Sequence, residues 1–250
     1  MRQSINPNAR LTRVYTPQAM AVSQTIVLEK DSALHLIKVL RHTSGDHVVL
    51  FNGDGCEYVG EITDIRGQSE CHVQLDALSK PRVESPVKVH LIQAIGRGDK
   101  MDWVIQKATE LGVTEITPVF TERTQVKFDA KKAENRQQRW QAIAVSACEQ
   151  SGRTALVKVH APMHLRDWRP QASILACFLD PCGVQSLASQ SLSNALALVV
   201  GPEGGLSEAE CAQLQDKGLL GLRLGPRVLR TETAGVAALA TIQAVCGDFQ

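Results

Sequence analysis

Between residues 14 and 75 the apolar positions fall in short runs rich in β-branched and aromatic side chains. Thr25-Ile26-Val27-Leu28, His47-Val48-Val49-Leu50-Phe51, Tyr58-Val59-Gly60-Glu61-Ile62 and Cys71-His72-Val73-Gln74-Leu75 are separated by turn signals such as Asn52-Gly53-Asp54-Gly55, a pattern that predicts short strands. One segment breaks it: Leu34, Ile37, Val39 and Leu40 are apolar at helical spacing, with Arg41 near the end. Rolling such strands into a small β-barrel removes their exposed edges. Residues 76–86 hold Lys80-Pro81-Arg82 and Ser85-Pro86 with little apolar content, and read as a linker between residues 1–75 and a second domain over 87–250.

Beyond the linker the period changes. Val87 to Ile95 reads as a strand, and Met101, Val104, Ile105, Ala108 and Leu111 form the apolar face of a helix. Glu115 to Phe120 is the next strand, and Trp140, Ile143, Ala144 and Ala147 mark a longer helix from about Ala130 to Ser151. Ile174 to Leu179 and Leu196 to Val200 are unbroken apolar runs, as expected of strands buried on both faces. This alternation predicts an α/β fold with a mostly parallel sheet and helices on both sides. A last helix, about Thr231 to Cys246, is apolar or small on nearly every side. It should be buried all round, in a large core or against another subunit.

Two turns stand out against this frame. Gly201-Pro202-Glu203-Gly204-Gly205 follows one apolar run, and Leu224-Gly225-Pro226-Arg227-Val228-Leu229-Arg230-Thr231-Glu232-Thr233-Ala234 follows the next and opens a helix. Both fall where open α/β sheets bind ligands, at the carboxyl ends of strands. The chain has no GxGxxG and no GxxxxGK[ST], so an ordinary dinucleotide or ATP loop is excluded. Glycine and proline here point instead to a tight cavity with close backbone approach to a ligand.

Composition adds limits. With 44% hydrophobic and 21% charged residues the chain is that of an ordinary soluble protein. No apolar run approaches the ~20 residues a membrane span needs, and Arg2 is followed by no apolar stretch of a secretory signal. Seven cysteines without CxxC spacing favour reduced, mostly buried thiols in a cytoplasmic protein, with no metal site. His160 and His164 are four apart, but Pro162 lies between them, which argues against one helical face. The net charge of +1 gives no general case for nucleic acid. RNA binding would need concentrated patches, and Arg2, Arg10 and Arg13 lead the chain with no acid among them.

Together the two turns resemble those of the SPOUT methyltransferases, specifically the RsmE family, which methylates N3 of a uridine in 16S ribosomal RNA. The resemblance runs in order along the chain through Val39-Leu40-Arg41, Arg97-Gly98-Asp99-Lys100-Met101, Ile105-Gln106-Lys107, Glu110-Leu111-Gly112, Glu122-Arg123 and Glu149-Gln150-Ser151-Gly152-Arg153. It implies a PUA-like barrel for RNA, a C-terminal trefoil knot, a homodimer formed beside that knot, S-adenosyl-L-methionine as cofactor and the small ribosomal subunit as partner. Backbone amides of Gly201, Gly204, Gly205 and Gly225 would hold adenine and ribose, with Pro202 and Glu203 in the same turn. Leu179, Leu224, Val228 and Leu229 would supply an apolar slot.

Uracil N3 carries a proton that must leave as the methyl group arrives, and charge then develops on the ring oxygens. A positioned cation and a base meet that need. Arg230, which is also expected to line the cofactor, is the candidate cation, and Glu232 the candidate base. A plainer role for Glu232 is to favour the helix dipole. Arg10, Arg13, Arg41 and His42 on the first domain, and Arg97, Lys100, Lys107 and Arg123 on the second, would contact RNA. Two other readings fit the same residues: methylation of another base or of a ribose 2′-OH, and a non-catalytic ribosome-assembly protein.

Overall fold

The computed structural model describes residues 11–126, 129–172 and 174–249. The chain divides into two units, one running to Glu84 and taking in Cys148–Leu156, the other formed by Ser85–Ala147 and the chain from Val157 onward.

In the first unit β1 (Thr12–Tyr15), β2 (Thr25–Val27), β3 (His47–Phe51), β4 (Glu57–Arg66) and β5 (Glu70–Ser79) form one sheet of order β1-β3-β4-β5-β2. Only the β1–β3 pairing is parallel; the others are antiparallel. Val14, Ile26, Leu50, Ile62 and Val73, one from each strand, are buried in a single core. Both edge strands share that core, so the sheet is rolled, with alternate residues inside as strand geometry requires. β5 continues to Ser79, beyond the expected linker start, because Ala77, Leu78 and Ser79 keep pairing with Val59, Tyr58 and Glu57.

The interrupting helix is shorter than its pattern predicted. α1 (Lys30–Leu34) passes directly into a wider π-helical turn, His35–Val39. The wider turn rotates the buried face onto Ala33 and Leu36, leaving Val39 and Leu40 exposed. Arg41 then takes a left-handed φ of 59°.

Glu149 and Arg153 are architectural within this unit. Glu149 accepts the Tyr15 amide at 3.0 Å, and buried Arg153 pairs with Glu84 at 2.7 Å. Glu84 also accepts the amides of Thr154 and Ala155 at 2.9 and 3.0 Å. These partners outweigh the desolvation that opposes them and hold the Glu84 carboxyl below its ordinary range.

The second unit is built on a parallel sheet. β6 (Lys88–Ala94), β7 (Glu115–Phe120), β8 (Lys158–Val159), β9 (Met163–His164), β10 (Leu175–Leu179), β11 (Gln185–Ser186), β12 (Ala195–Val200) and β13 (Leu220–Arg223) take the order β11-β13-β10-β12-β6-β7-β8, with β9 also on β7. Every pairing is parallel. The apolar runs predicted as doubly buried strands are β10 and β12 at its centre. The helices are α2 (Lys100–Glu110), α3 (Ala130–Ser151, of which the residues from Cys148 belong to the first unit), α4 (Glu208–Asp216) and α5 (Thr231–Cys246). α5 packs on α2 and reaches β6 and β12, while α4 lies against β13.

Within this chain α5 is not covered all round. It buries Gly235, Ala238, Leu239 and Ile242, and leaves Ala237 and Ala240 half-buried and Ala244 exposed. Buried Gln243 is fully used: its amide nitrogen donates to the Leu111 carbonyl at 2.8 Å, and its oxygen accepts from Ser85 Oγ at 2.8 Å.

Candidate active site

The strand order β13-β10-β12-β6 sets four carboxyl ends side by side, and a cleft opens over three of them. Its walls are Leu179 and Asp180 after β10, Gly201, Pro202, Glu203 and Gly205 after β12, and Leu224, Gly225, Val228 and Leu229 after β13. Thr231 and Ala234, at the start of α5, close the remaining side. Leu179, Leu206, Leu222 and Leu229 make the lining largely apolar. The α5 N-terminus adds the positive end of a helix dipole.

Glycine is needed in the first turn for definite reasons. Gly205 has a φ of +70°, and a Cβ on Gly201 would stand 3.1 Å from the Leu206 amide nitrogen. Gly225 differs: a Cβ there would meet nothing within 4 Å. Its bare Cα faces open cleft, so the missing side chain leaves room for a ligand rather than relieving a clash.

The first turn is braced from behind. Arg123 donates to the carbonyls of Gly204 and Leu206 at 2.8 and 3.3 Å. Ser207 caps α4 in a reciprocal capping box with Glu210, and the other Glu210 oxygen accepts the Glu122 amide at 2.9 Å. Glu203 accepts the Arg97 amide at 3.1 Å and Lys100 Nζ at 2.9 Å. These contacts hold the Glu203 carboxyl below its ordinary range against its desolvation.

Beneath the cleft, Thr231 Oγ1 donates to the Gly201 carbonyl at 2.5 Å and accepts from Gln93 Nε2 at 3.0 Å. Gln93 is 1% exposed. Gly235 must be small beside it, since a Cβ there would lie 2.8 Å from Gln93 Oε1. One hydroxyl thus joins the ends of β6 and β12 to the start of α5.

Two domain families match this chain: an RNA methyltransferase domain over residues 83–243 and an RNA methyltransferase PUA domain over residues 28–76. Ribosomal RNA small subunit methyltransferase E of Bacillus subtilis is 32% identical, over 91% of this chain and 93% of its own length. The protein of that name from a pea-aphid Buchnera aphidicola is 30% identical over 97% of both chains. This chain belongs to the ribosomal RNA small subunit methyltransferase E family. The Neisseria gonorrhoeae methyltransferase E structure, bound to S-adenosyl methionine, is similar with a TM-score of 0.90 and 34% identity, over 96% of this chain and 100% of that one. A Legionella pneumophila protein described as a methyltransferase, solved in complex with SAM, has a TM-score of 0.92 and 37% identity over the same shares. The likeness agrees with the α/β fold and the PUA-like first unit.

The expected site residues are placed unevenly. Leu179, Gly201, Pro202, Glu203, Gly205, Leu224, Gly225, Val228 and Leu229 line the cleft, while Gly204 and Arg230 do not. Gly204 faces Arg123 instead. Arg230 is the N-cap residue of α5, extended and exposed, and Glu232 reaches Lys100 at 3.3 Å.

Of the residues expected to contact RNA, Arg10 lies outside the described residues. Arg41 and Arg97 are exposed. Arg13 is turned inward: it pairs with Glu57, donates to the Arg153 carbonyl at 3.0 Å and lies 4.9 Å from the Phe51 ring centre. His42 is shared between Asp46 and Thr12 at 3.1 and 2.8 Å. Lys107 pairs with Glu110, and Arg123 and Lys100 brace the turn after β12. In each case a local acid or carbonyl outcompetes a free surface position.

Gln93, Thr231, Glu210 and Asp180 were missed by the sequence reading. Only the capping pattern at Ser207 and Glu210 carried a signal that could have found one of them. His160 and His164 separate: His160 bonds Glu115 at 2.7 Å, while the His164 ring lies 5.5 Å from that of Phe120. His90, Glu115 and His160 bring ligand-type atoms within 4.8 Å of one another. His90 Nε2 is bonded to Thr117 Oγ1 at 2.8 Å.

Proposed function

We propose that this protein transfers a methyl group from S-adenosyl-L-methionine to N3 of a uridine in 16S ribosomal RNA of the small subunit. The observation that carries the reading is the cleft itself: two Gly/Pro turns at parallel strand ends, braced by Arg123 and Thr231, in a family whose relatives are solved with that cofactor bound. The residues present fit the molecule. Leu179, Leu222 and Leu229 offer an apolar slot for a purine, and Gly225 leaves the space beside it open. Asp180 and Glu203 on the walls suit hydroxyl and ammonium groups.

When bound, S-adenosylmethionine supplies an electrophilic methyl group; the chain must hold and deprotonate the acceptor. Glu232, in the first turn of α5 next to the cleft-lining Thr231 and paired with Lys100, takes the N3 proton. The Arg230 carbonyl accepts the Ala234 amide at 2.8 Å, while its side chain makes no hydrogen bond or ion pair among the described residues and is exposed, where a uracil would arrive. Its guanidinium offsets the negative charge that spreads over the ring oxygens. The base must leave its stack to reach this position, and the exposed Arg41 and Arg97 serve as phosphate contacts.

The protein acts as a cytoplasmic homodimer with a knotted C-terminal segment. The part-exposed apolar stripe of α5, Ala237, Ala240 and Ala244, supports a dimer face. No helix among the described residues is long and apolar enough to cross a membrane. The test is methyl transfer from labelled cofactor to unmodified small subunits, free 16S rRNA and tRNA, followed by nucleoside analysis. Label in N3-methyluridine, lost in Arg230→Ala, is the expected result; label in another nucleoside rejects the uridine assignment.

A further inference from the structure

Lys100 is the first residue of α2, a poor place for a cation, because the positive end of the helix dipole lies there. Its surroundings show what holds it. Nζ lies 2.9 Å from Glu203 Oε1 and 3.3 Å from Glu232 Oε2. The two carboxylates come from different places, the turn after β12 and the first turn of α5, and without a cation between them they would repel. Glu232 Oε2 is buried and accepts no hydrogen bond from the described residues, so this ammonium is its compensating charge. Glu203 in turn is fixed by the Arg97 amide of the loop that leads into α2. The pair of acids, Glu203 first, holds the Lys100 ammonium above its ordinary range.

We infer that Lys100 is a positioning residue for methyl transfer, which ties the cofactor turn to the start of α5 so that a filled cleft and a correctly aimed Glu232 come together. The inference rests on the function proposed above and replaces a phosphate-contact role for this lysine. Glu203 sits on the cofactor side of the tie and Glu232 on the acceptor side. A cation that neutralises both makes the order of one depend on the other, and its loss leaves two close carboxylates, one of them buried and unpaired.

The experiment compares wild type with Lys100→Met, Lys100→Arg, Glu203→Gln and the Lys100→Met/Glu203→Gln double variant. Cofactor affinity is measured by calorimetry without RNA, then kcat, KM for small subunits and the salt dependence of RNA binding. For Lys100→Met we expect cofactor affinity to fall about tenfold, the scale of one charge-assisted bond, and kcat to fall with it. KM for the subunit and the salt slope should stay unchanged. Lys100→Arg should recover most of the cofactor affinity, and the double variant should bind cofactor no worse than Lys100→Met alone. The inference is overturned if Lys100→Met keeps cofactor affinity and kcat within twofold while the salt slope falls by about one, the mark of a lost phosphate contact. Strict additivity in the double variant also overturns it, and so does unchanged cofactor affinity in Glu203→Gln, which does not depend on Lys100→Met folding. A wild-type enzyme that binds cofactor but methylates another nucleoside removes the uridine assignment and leaves this test intact.

Discussion

Thr231 gathers three segments through a single hydroxyl, donating to Gly201 and accepting from Gln93. Thr231→Val keeps the shape and removes both bonds, leaving the Gly201 carbonyl without this donor and the buried Gln93 amide with only the Ala94 carbonyl at 3.2 Å. Urea denaturation should show a loss of about 2 kcal/mol, which Thr231→Ser should largely recover. His90 gives the clearest pH dependence. Burial, partly countered by the nearby Glu115 charge, pushes its pKa down to about 4, whereas an unfolded histidine titrates near 6.5. The unfolded chain therefore binds the proton first as pH falls. The share of stability carried by neutral His90 is complete above about pH 6.5 and is lost progressively down to about pH 4. Between pH 7 and 5 wild type should lose about 1–2 kcal/mol that His90→Gln does not lose. Glu115, also held low, acts only at more acid pH, so the two effects separate. Free thiols behave as their burial dictates. Cys71 and Cys177 are pushed up to about 11 and about 12, while Cys182 is the exposed cysteine among the described residues.

At the scale of elements, local chemistry was readable where one residue type acts on its own neighbours. The apolar runs of β10 and β12 and the bounds of α3 and α5 follow their patterns because burial on one or two faces imposes the period. The same reasoning missed the π-helical turn at His35–Val39: it inserts a wider turn that shifts which apolar side chains face the core, and a regular 3.6 period cannot represent it. It also missed the left-handed Arg41, whose φ of 59° is strained for any residue with a Cβ. Arg41→Gly should raise stability by roughly 0.5–1 kcal/mol and at the same time weaken RNA binding and flatten its salt dependence. A variant more stable yet equal in RNA affinity would discard Arg41 as a phosphate contact. Ser207→Ala removes the α4 cap and should cost about 1 kcal/mol. Because Glu210 of the same box also holds the Glu122 amide, cofactor affinity should fall as well.

At the scale of the molecule, α5 buries one side within its own chain and leaves Ala237 and Ala240 half-buried and Ala244 exposed. Ala240→Glu would place a charge in the middle of that stripe. Sedimentation equilibrium should show wild type as a dimer and the variant as a monomer with a lower melting temperature. A monomeric wild type would remove the dimer from the proposed function. The same helix joins the cleft at its first turn, through Thr231 and Ala234, so loss of the partner should also weaken cofactor binding.

The sequence by itself determined the two-part organisation, the parallel α/β class of the second unit and the two turns that line the cleft. Those properties follow from residue type and period along the chain, whereas Gly205, Gly225, Leu179 and Leu229 were named as ligand contacts through the family resemblance. Only the tertiary structure decided which charges stand free. Arg13, Lys100, Lys107 and Arg123 read alike as RNA contacts, yet each meets a partner: Glu57, Glu203, Glu110 and the carbonyl of Gly204. Except for Glu110, those partners lie 44 to 103 positions away or come from a separate turn. The Gln93–Thr231 bond was invisible for the same reason, since it spans 138 positions. A hydrophobic period is written in neighbouring residues, whereas a buried polar contact is decided by whichever distant group the fold brings within about 3 Å.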